Sequence, residues 1–562
     1  MKIRYIYLFC VAITGLFNAC QDLDQEVRTT LTADQIYISY SRTIQHSIAG
    51  YAAIPKGFLS INGAMMESAS DNAEHTLETS TIHKFNVGSW GPYDNPGDIW
   101  GTLFTGIRRV NQYLVMADSI DWSNYILYQT PERQLLYEAQ VKEINRTKYE
   151  NRFLRAYFYF ELVKRYGGVP IITEALAYNS DFSGIKRNTL EECIRFITSE
   201  CDSAAVKLPV EYPNEDLGRA TKGAALALKS RTLLYAASDL FNDPSWAGGY
   251  SASDLISLTG DRAARWTDAA DAAKAVIDMG EYTLASNYEA LFKTFNNSEI
   301  IFTVRAAASS SFETANYPIG YDMGRSGTTP TQNLVDAYEM TNGKKIDEFG
   351  SGYNNQNPYV NRDPRLAMTI MTNNSTYKGR PVECWKGGRD GEGVALATRT
   401  GYYLKKYVDE GLDLLTNKTS VHSWHLFRMA EIYLNYAEAL NESSPAHTDI
   451  KIYLDLVRKR AGMPLIPDGL SQQEMRERIR NERRVEMAFE DQRFWDVRRW
   501  MNASDYLNVP IRGMDITKNP DNTFVYLVKD VENRVFQPQM YFFPIPQSEL
   551  NITKDWDQNP LW

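Results

Sequence analysis

Cys20 carries the most definite chemistry in this sequence. Its thiol follows Ala19 at the end of an apolar run, Ile6 to Ala19, that is preceded by Lys2 and Arg4. A basic start, about a dozen apolar residues and a small residue at the junction describe an export signal. A cysteine placed at that junction predicts a bacterial lipoprotein signal, in which residues 1–19 are removed and the thiol receives a diacylglycerol. The run is too short to span a bilayer, which takes about 20 apolar residues. Residues 20–30 then form a lipidated tether, opening with the polar stretch Gln21-Asp22-Leu23-Asp24-Gln25-Glu26, and residues 31–562 form one folded body.

A second segment is suited to binding. Cys384-Trp385-Lys386-Gly387-Gly388-Arg389-Asp390-Gly391 sets an indole and a guanidinium on a glycine-rich backbone, and Tyr402-Tyr403 follows. An aromatic face can pack on the C–H face of a sugar ring, while a guanidinium donates hydrogen bonds to hydroxyls. The chain is rich in rings, with 35 Tyr and 11 Trp. Composition alone does not separate those that build a core from those that grip a ligand.

Catalytic signatures are missing. The sequence has no G-x-S-x-G elbow, no H-E-x-x-H and no Walker loop. A glycosidase needs only two carboxylates, and among 70 acidic residues spacing singles out no pair; no enzyme activity is expected. His422 and His425 flank Trp424 near an expected helix start and read as surface or capping residues. No C-x-x-C pair exists, and no metal or cofactor is expected. Arg476, Arg478, Arg480, Arg483, Arg484, Arg493, Arg498 and Arg499 alternate with Glu474, Glu477, Glu482, Glu486, Glu490, Asp491 and Asp496. Interleaved signs describe a helix laced by ion pairs that hold the fold together. With a net charge of −10, the chain argues against a nucleic-acid partner.

The elements that must position these groups are mostly helices. Thr130-Pro131 opens a helix that runs to Tyr166, where Gly167-Gly168-Val169-Pro170 ends it. Thr189 to Glu192 is a capping box for a helix to about Lys207. Further helices are expected over Thr221 to Leu240 and Thr267 to Met279. Leu426, Ala430, Tyr433, Leu434, Ala437 and Leu440 predict one helical face. A helix over Ile450 to Ala461 stops at Gly462, and Ser471 to Glu474 caps a long charged helix to about Trp500. Trp100 shares a helical face with Ile107 and Asn111 and belongs to a core. Helix pairs of roughly 34 residues predict a mainly α, tetratricopeptide-like scaffold. The pairs fall within about residues 98–280 and 422–500, and long irregular insertions occupy about 55–100 and 281–421.

Several of these blocks resemble the SusD/RagB family. They are Phe153-Leu154-Arg155-Ala156-Tyr157 through Tyr166-Gly167-Gly168-Val169-Pro170; Ala220-Thr221-Lys222-Gly223-Ala224; Asn297-Ser298-Glu299-Ile300-Ile301-Phe302; and Phe427-Arg428-Met429-Ala430-Glu431. Val457-Arg458-Lys459-Arg460, Asn481-Glu482-Arg483-Arg484, Phe494-Trp495-Asp496-Val497-Arg498-Arg499-Trp500 and Phe543-Pro544-Ile545-Pro546 continue the series. The resemblance implies a non-catalytic lipoprotein of the outer membrane, facing the cell exterior. Such a protein binds an oligosaccharide or polysaccharide and serves a SusC-like, TonB-dependent transporter. It also implies a carboxylate and an aromatic from the early insertion at the glycan site, for which Asp71 and Trp90 are the matches, with Tyr93 beside them. The expected sugar-contact set is therefore Asp71, Trp90, Tyr93, Trp385, Arg389 and Tyr403. The alternative is a helical-repeat lid of the transporter that binds peptide or protein and has no sugar site of its own.

Overall fold

The computed structural model describes residues 38–123, 130–177, 180–182, 184–553 and 555–562. Cys20, the leader and the tether lie outside the described residues. Ten helices carry the architecture: α1 Tyr40–Gly50, α2 Trp100–Asp118, α3 Pro131–Tyr166, α4 Leu190–Lys207, α5 Lys222–Ala237, α6 Arg262–Ile277, α7 Met429–Ser443, α8 Asp449–Arg460, α9 Gln472–Glu486 and α10 Arg493–Arg499. The fold is mainly α, as expected. Each of α2 to α8 packs on the next in a continuous stack, and α9 packs back on α7. Contact between α6 and α7 bridges the whole second insertion, so two repeat regions distant in sequence form one scaffold. Small residues make this junction close: Ala269, Ala270 and Ala273 of α6 and Ala430, Ala437 and Ala439 of α7 are buried. Among the described residues, no helix is long and apolar enough to cross a membrane.

Local signals set the helix ends. Thr130 Oγ1 accepts from Arg133 N at 3.3 Å, and Pro131 takes the first helical position, where its missing N–H costs nothing. The Thr189 and Ser471 capping boxes both form. Gly167 ends α3 at φ +71°, and an added Cβ there would stand 2.4 Å from the Leu255 carbonyl oxygen. The second half of α3 is buried on nearly all sides, including Arg155, whose charge is met by Glu200 at 2.8 Å.

Short strands stitch the insertions to the scaffold. These are β1 Ala73–His75, β2 Ile300–Arg305, β3 Thr328–Pro330, β4 Ser423–Arg428, and the hairpin β5 Ile511–Lys518 with β6 Phe524–Glu532. β2 runs antiparallel to β4 with Thr303 opposite His425, and β1 runs antiparallel to β3 with Glu74 opposite Thr329. The first pairing closes the second insertion at its base. The second joins the early insertion to the later one.

Three expectations are corrected. Leu426 lies in β4, and the helix begins only at Met429. All six residues of β4 are buried, so the period-two alternation that marks a strand is absent. α6 starts at Arg262, five residues before Thr267, because the Asp261 carboxylate accepts from Ala263 N at 2.8 Å. The long charged helix is two helices: between α9 and α10 the backbone turns at Phe489 (φ +63°) and Asp491 (φ +57°).

The arginine-rich segment does hold the fold by ion pairs. Arg428, at the end of β4, meets Glu299 at 2.7 Å, Glu486 at 2.6 Å and Glu490 at 2.7 Å. Arg365 joins Asp363, Glu482 and Glu486, and Arg499 joins Glu438 and Asp496. Removing one partner of such a buried pair costs about 3–5 kcal/mol.

Candidate functional site

The loop Cys384–Gly391 is held from beneath. The Asp390 carboxylate accepts from Glu383 N at 2.9 Å, from Gly320 N at 3.1 Å and from both Arg380 terminal nitrogens at 2.7 and 3.0 Å. Tyr403 donates its hydroxyl to the Asp390 carbonyl. At Gly391 an added Cβ would lie 1.8 Å from the Trp385 carbonyl oxygen, and at Gly388 one would lie 2.4 Å from that of Glu383. The glycines are thus required by close backbone approach. Lys386 N donates to Ile516 O at 2.9 Å, which fastens the loop to the free edge of β5.

This frame sets four half-buried rings in a row. Trp385 lies 5.3 Å from Phe524, Phe524 lies 6.2 Å from Tyr526, and Tyr526 lies 5.6 Å from Tyr359. Phe524 and Tyr526 stand two apart on β6, hence on one face of the hairpin. Polar groups line the row. Lys518 holds its ammonium 4.7 Å from the Trp385 ring centre. Asn373 donates to Tyr526 Oη at 3.2 Å, and the Gln356 amide bonds both backbone groups of Tyr526. The Arg389 side chain is 68% exposed. A separate recess of about 300 Å³, to which none of the four rings contributes, is bordered by Glu392, Thr398, Arg399 and Lys529. Ring faces on a stiff frame, rimmed by amide, hydroxyl and cationic groups, can stack on sugar rings and hydrogen-bond their hydroxyls.

The expected contact residues fall in different places. Trp385 and Arg389 share the loop, and Tyr403 lies fully buried below it as a support. Tyr93 is 85% exposed. Trp90 is 6% exposed and enclosed by Phe85, Phe543 and Trp562, with ring centres 4.9, 5.2 and 4.7 Å away. Asp71 is 1% exposed. Its oxygens are taken by Arg493 at 2.8 and 3.0 Å and by Arg484 at 2.7 Å. Against the upward push of burial, these two guanidinium groups hold its carboxyl down at about 2. Direct sugar contact by Asp71, Trp90 and Tyr403 is therefore corrected: none offers a free face, and each positions other groups. Phe524, Tyr526 and Tyr359 were missed. The available signal was the turn-forming Asn519-Pro520-Asp521-Asn522 followed by the alternation Phe524-x-Tyr526.

His422 and His425 do not act as a pair. His422 Nε2 faces Glu313 Oε1 at 2.9 Å, while His425 bonds Thr303 and the Leu291 carbonyl at 2.9 and 3.0 Å. The break after α9 carries Asp491 to a cavity of about 150 Å³ bordered by Lys56, Tyr157, Glu161 and Trp424. Burial, then the nearby Glu67, push the Asp491 carboxyl well above the usual range; burial lifts Glu67 to about 7.

Fold and site together define a helical-repeat scaffold on which the later insertion and the C-terminal hairpin bring four aromatic rings together. A family model described as "SusD family" matches residues 298–562, and one described as "Starch-binding associating with outer membrane" matches residues 59–234. The chain belongs to the SusD/RagB family. SusD-like protein P25 of Formosa agariphila is 23% identical over 98% of this chain and 97% of its own length. A crystal structure of a SusD-like protein from Bacteroides fragilis superposes with a TM-score of 0.77 at 26% identity, covering 94% of this chain and 98% of that one. A second from the same species, a SusD-like carbohydrate binding protein, gives 0.75 at 24% identity over 92% and 99%.

Proposed function

We propose that this protein captures oligosaccharides at the outer surface of the cell and delivers them to a SusC-like, TonB-dependent transporter. A lipid on Cys20 anchors it to the outer membrane. The observation that carries the reading is the row of four half-buried rings, Trp385 on the ion-paired loop, Phe524 and Tyr526 on the hairpin and Tyr359 next to Tyr526, in a member of the SusD/RagB family. The carbohydrate binding of a relative with the same fold points the same way. Tyr93, isolated from the row and almost wholly exposed, is assigned a secondary contact with longer chains.

The test is a glycan array followed by calorimetry on the best ligand. Trp385→Ala removes a platform ring, and a stacked ring contributes about 0.5–1.5 kcal/mol beyond its buried area. We expect affinity to fall about tenfold or more, with no released reducing ends over time. Failure to bind any glycan, with intact association to the transporter, would favour the lid alternative.

A further inference from the structure

Glu74, His83 and Glu532 come from three elements: β1, the short helix His83–Val87 nine residues on, and the distant end of β6. One ligand atom from each lies within 4.8 Å of the other two. His83 Nε2 stands 3.1 Å from the Leu77 carbonyl oxygen, which can only accept, so this nitrogen carries the proton. In the neutral ring Nδ1 then presents a lone pair, the tautomer a metal-binding imidazole needs. Nδ1 faces Glu532 Oε2 at 3.9 Å, too far for a hydrogen bond and with both atoms being acceptors.

The carboxylates are oriented in the same manner. Glu74 Oε1 meets Arg399 at 3.2 Å, and Glu532 Oε1 meets Arg534 at 3.1 Å. Each thus spends one oxygen on an outer arginine and keeps the second. Glu532 Oε2 points to His83, and Glu74 Oε2 takes only a long bond from Thr329 at 3.3 Å. Carboxylates that ligate metals are commonly steadied by such outer partners. A separate sign comes from His75, next to Glu74 on β1. It is 2% exposed, its Nδ1 has no partner, and its ring centre lies 6.4 Å from that of His83. A buried ring nitrogen with nothing to bond is otherwise a net cost.

We propose that Glu74, His83 and Glu532 bind a divalent transition-metal ion of the zinc type, with water completing the coordination. Imidazole with carboxylates suits Zn²⁺ and its neighbours, whereas Ca²⁺ and Mg²⁺ prefer all-oxygen sites. The ion clips the early insertion and β1 to the base of the hairpin. It leaves the aromatic row untouched, so the proposal stands apart from the sugar reading.

The full chain, purified without an affinity tag and freed of metal by chelation, is titrated with Zn²⁺ by calorimetry and with Co²⁺ by visible absorption. One ion per chain is expected, with His83→Ala and Glu532→Gln each weakening binding tenfold or more. On the unaltered protein, Zn²⁺ should shield His83 from diethyl pyrocarbonate, read by mass spectrometry. That readout needs no variant. Absence of binding, unchanged affinity in both variants, or unshielded His83 at saturating Zn²⁺ overturns the proposal.

Discussion

Asp71→Asn separates a structural carboxylate from a ligand-binding one. In the native fold Asp71 sits between Arg493, which is buried, and Arg484, which is nearly so. Burial and the charge of Arg493 already pull Arg484 down to about 10, with Asp71 opposing them. Without the carboxylate, two guanidinium groups face each other in the interior. The fall of Asp71 from its usual 3.8 to about 2 corresponds to roughly 2 kcal/mol. Breaking a buried pair costs about 3–5 kcal/mol, so a loss of about 3 kcal/mol is expected. Urea unfolding followed by circular dichroism measures it, and glycan calorimetry on the folded fraction measures the site. Stability should fall by that amount while affinity per folded molecule stays unchanged. The pH dependence has a definite sign. A carboxyl whose folded value is depressed contributes stability above about 4 that is lost as pH falls through about 2, and Asp71→Asn should remove that acid limb. A stability loss below about 1 kcal/mol, or a folded variant that no longer binds glycan, would refute the structural assignment.

Other outcomes follow from the same geometry. Gly391→Ala must displace the backbone around Trp385, because the new Cβ would lie 1.8 Å from its carbonyl oxygen; glycan affinity should fall at least tenfold although every ring is retained, and unchanged calorimetry would contradict the frame described for this loop. Glu67 and Glu74 are each raised to about 7, so each keeps its proton in the folded state between about 4.5 and 7 and loses it on unfolding. Stability should therefore decline as pH rises through that window, by up to about 3 kcal/mol per group, and Glu67→Gln should reduce the slope by about half in urea titrations with chelator present. Cys20→Ala should release the protein from membranes in cell fractionation with its glycan affinity intact; a variant that remained membrane-bound in cells lacking the transporter would argue against the lipid anchor.

Legibility in the sequence followed the range of the interactions. The caps at Thr130, Thr189 and Ser471 and the stops at Gly167 and Gly462 act within four residues and were readable. The break after α9 has no proline or glycine to announce it. Phe489 and Asp491 adopt left-handed backbone because tertiary partners draw Glu490 to Arg428 and Lys406. Leu426, in β4, fits the helical pattern of the residues that follow it because a strand buried on both faces shows no alternation of its own. In the site, the Trp385 loop stood out by composition, but its companions Tyr359 and Phe524 lie far away in the chain. Asp71 was misassigned for the same reason: both of its arginines are more than 400 residues downstream, and nothing near it marks the charge as spoken for.

The stitch between β2 and β4 has an engineering consequence. Ala306 N donates to His422 O at 2.8 Å, so the chain leaves the scaffold and returns to it at adjacent points after more than a hundred residues. The helices on either side, α6 and α7, already pack together. Segments whose ends meet this closely tolerate exchange, because a replacement has only one short gap to span. Residues 306–422 are thus closed at their base yet remain keyed to the body through Arg365 with Glu482 and Glu486 and through the pairing of β3 with β1, so an exchange of this segment has to carry those partners with it.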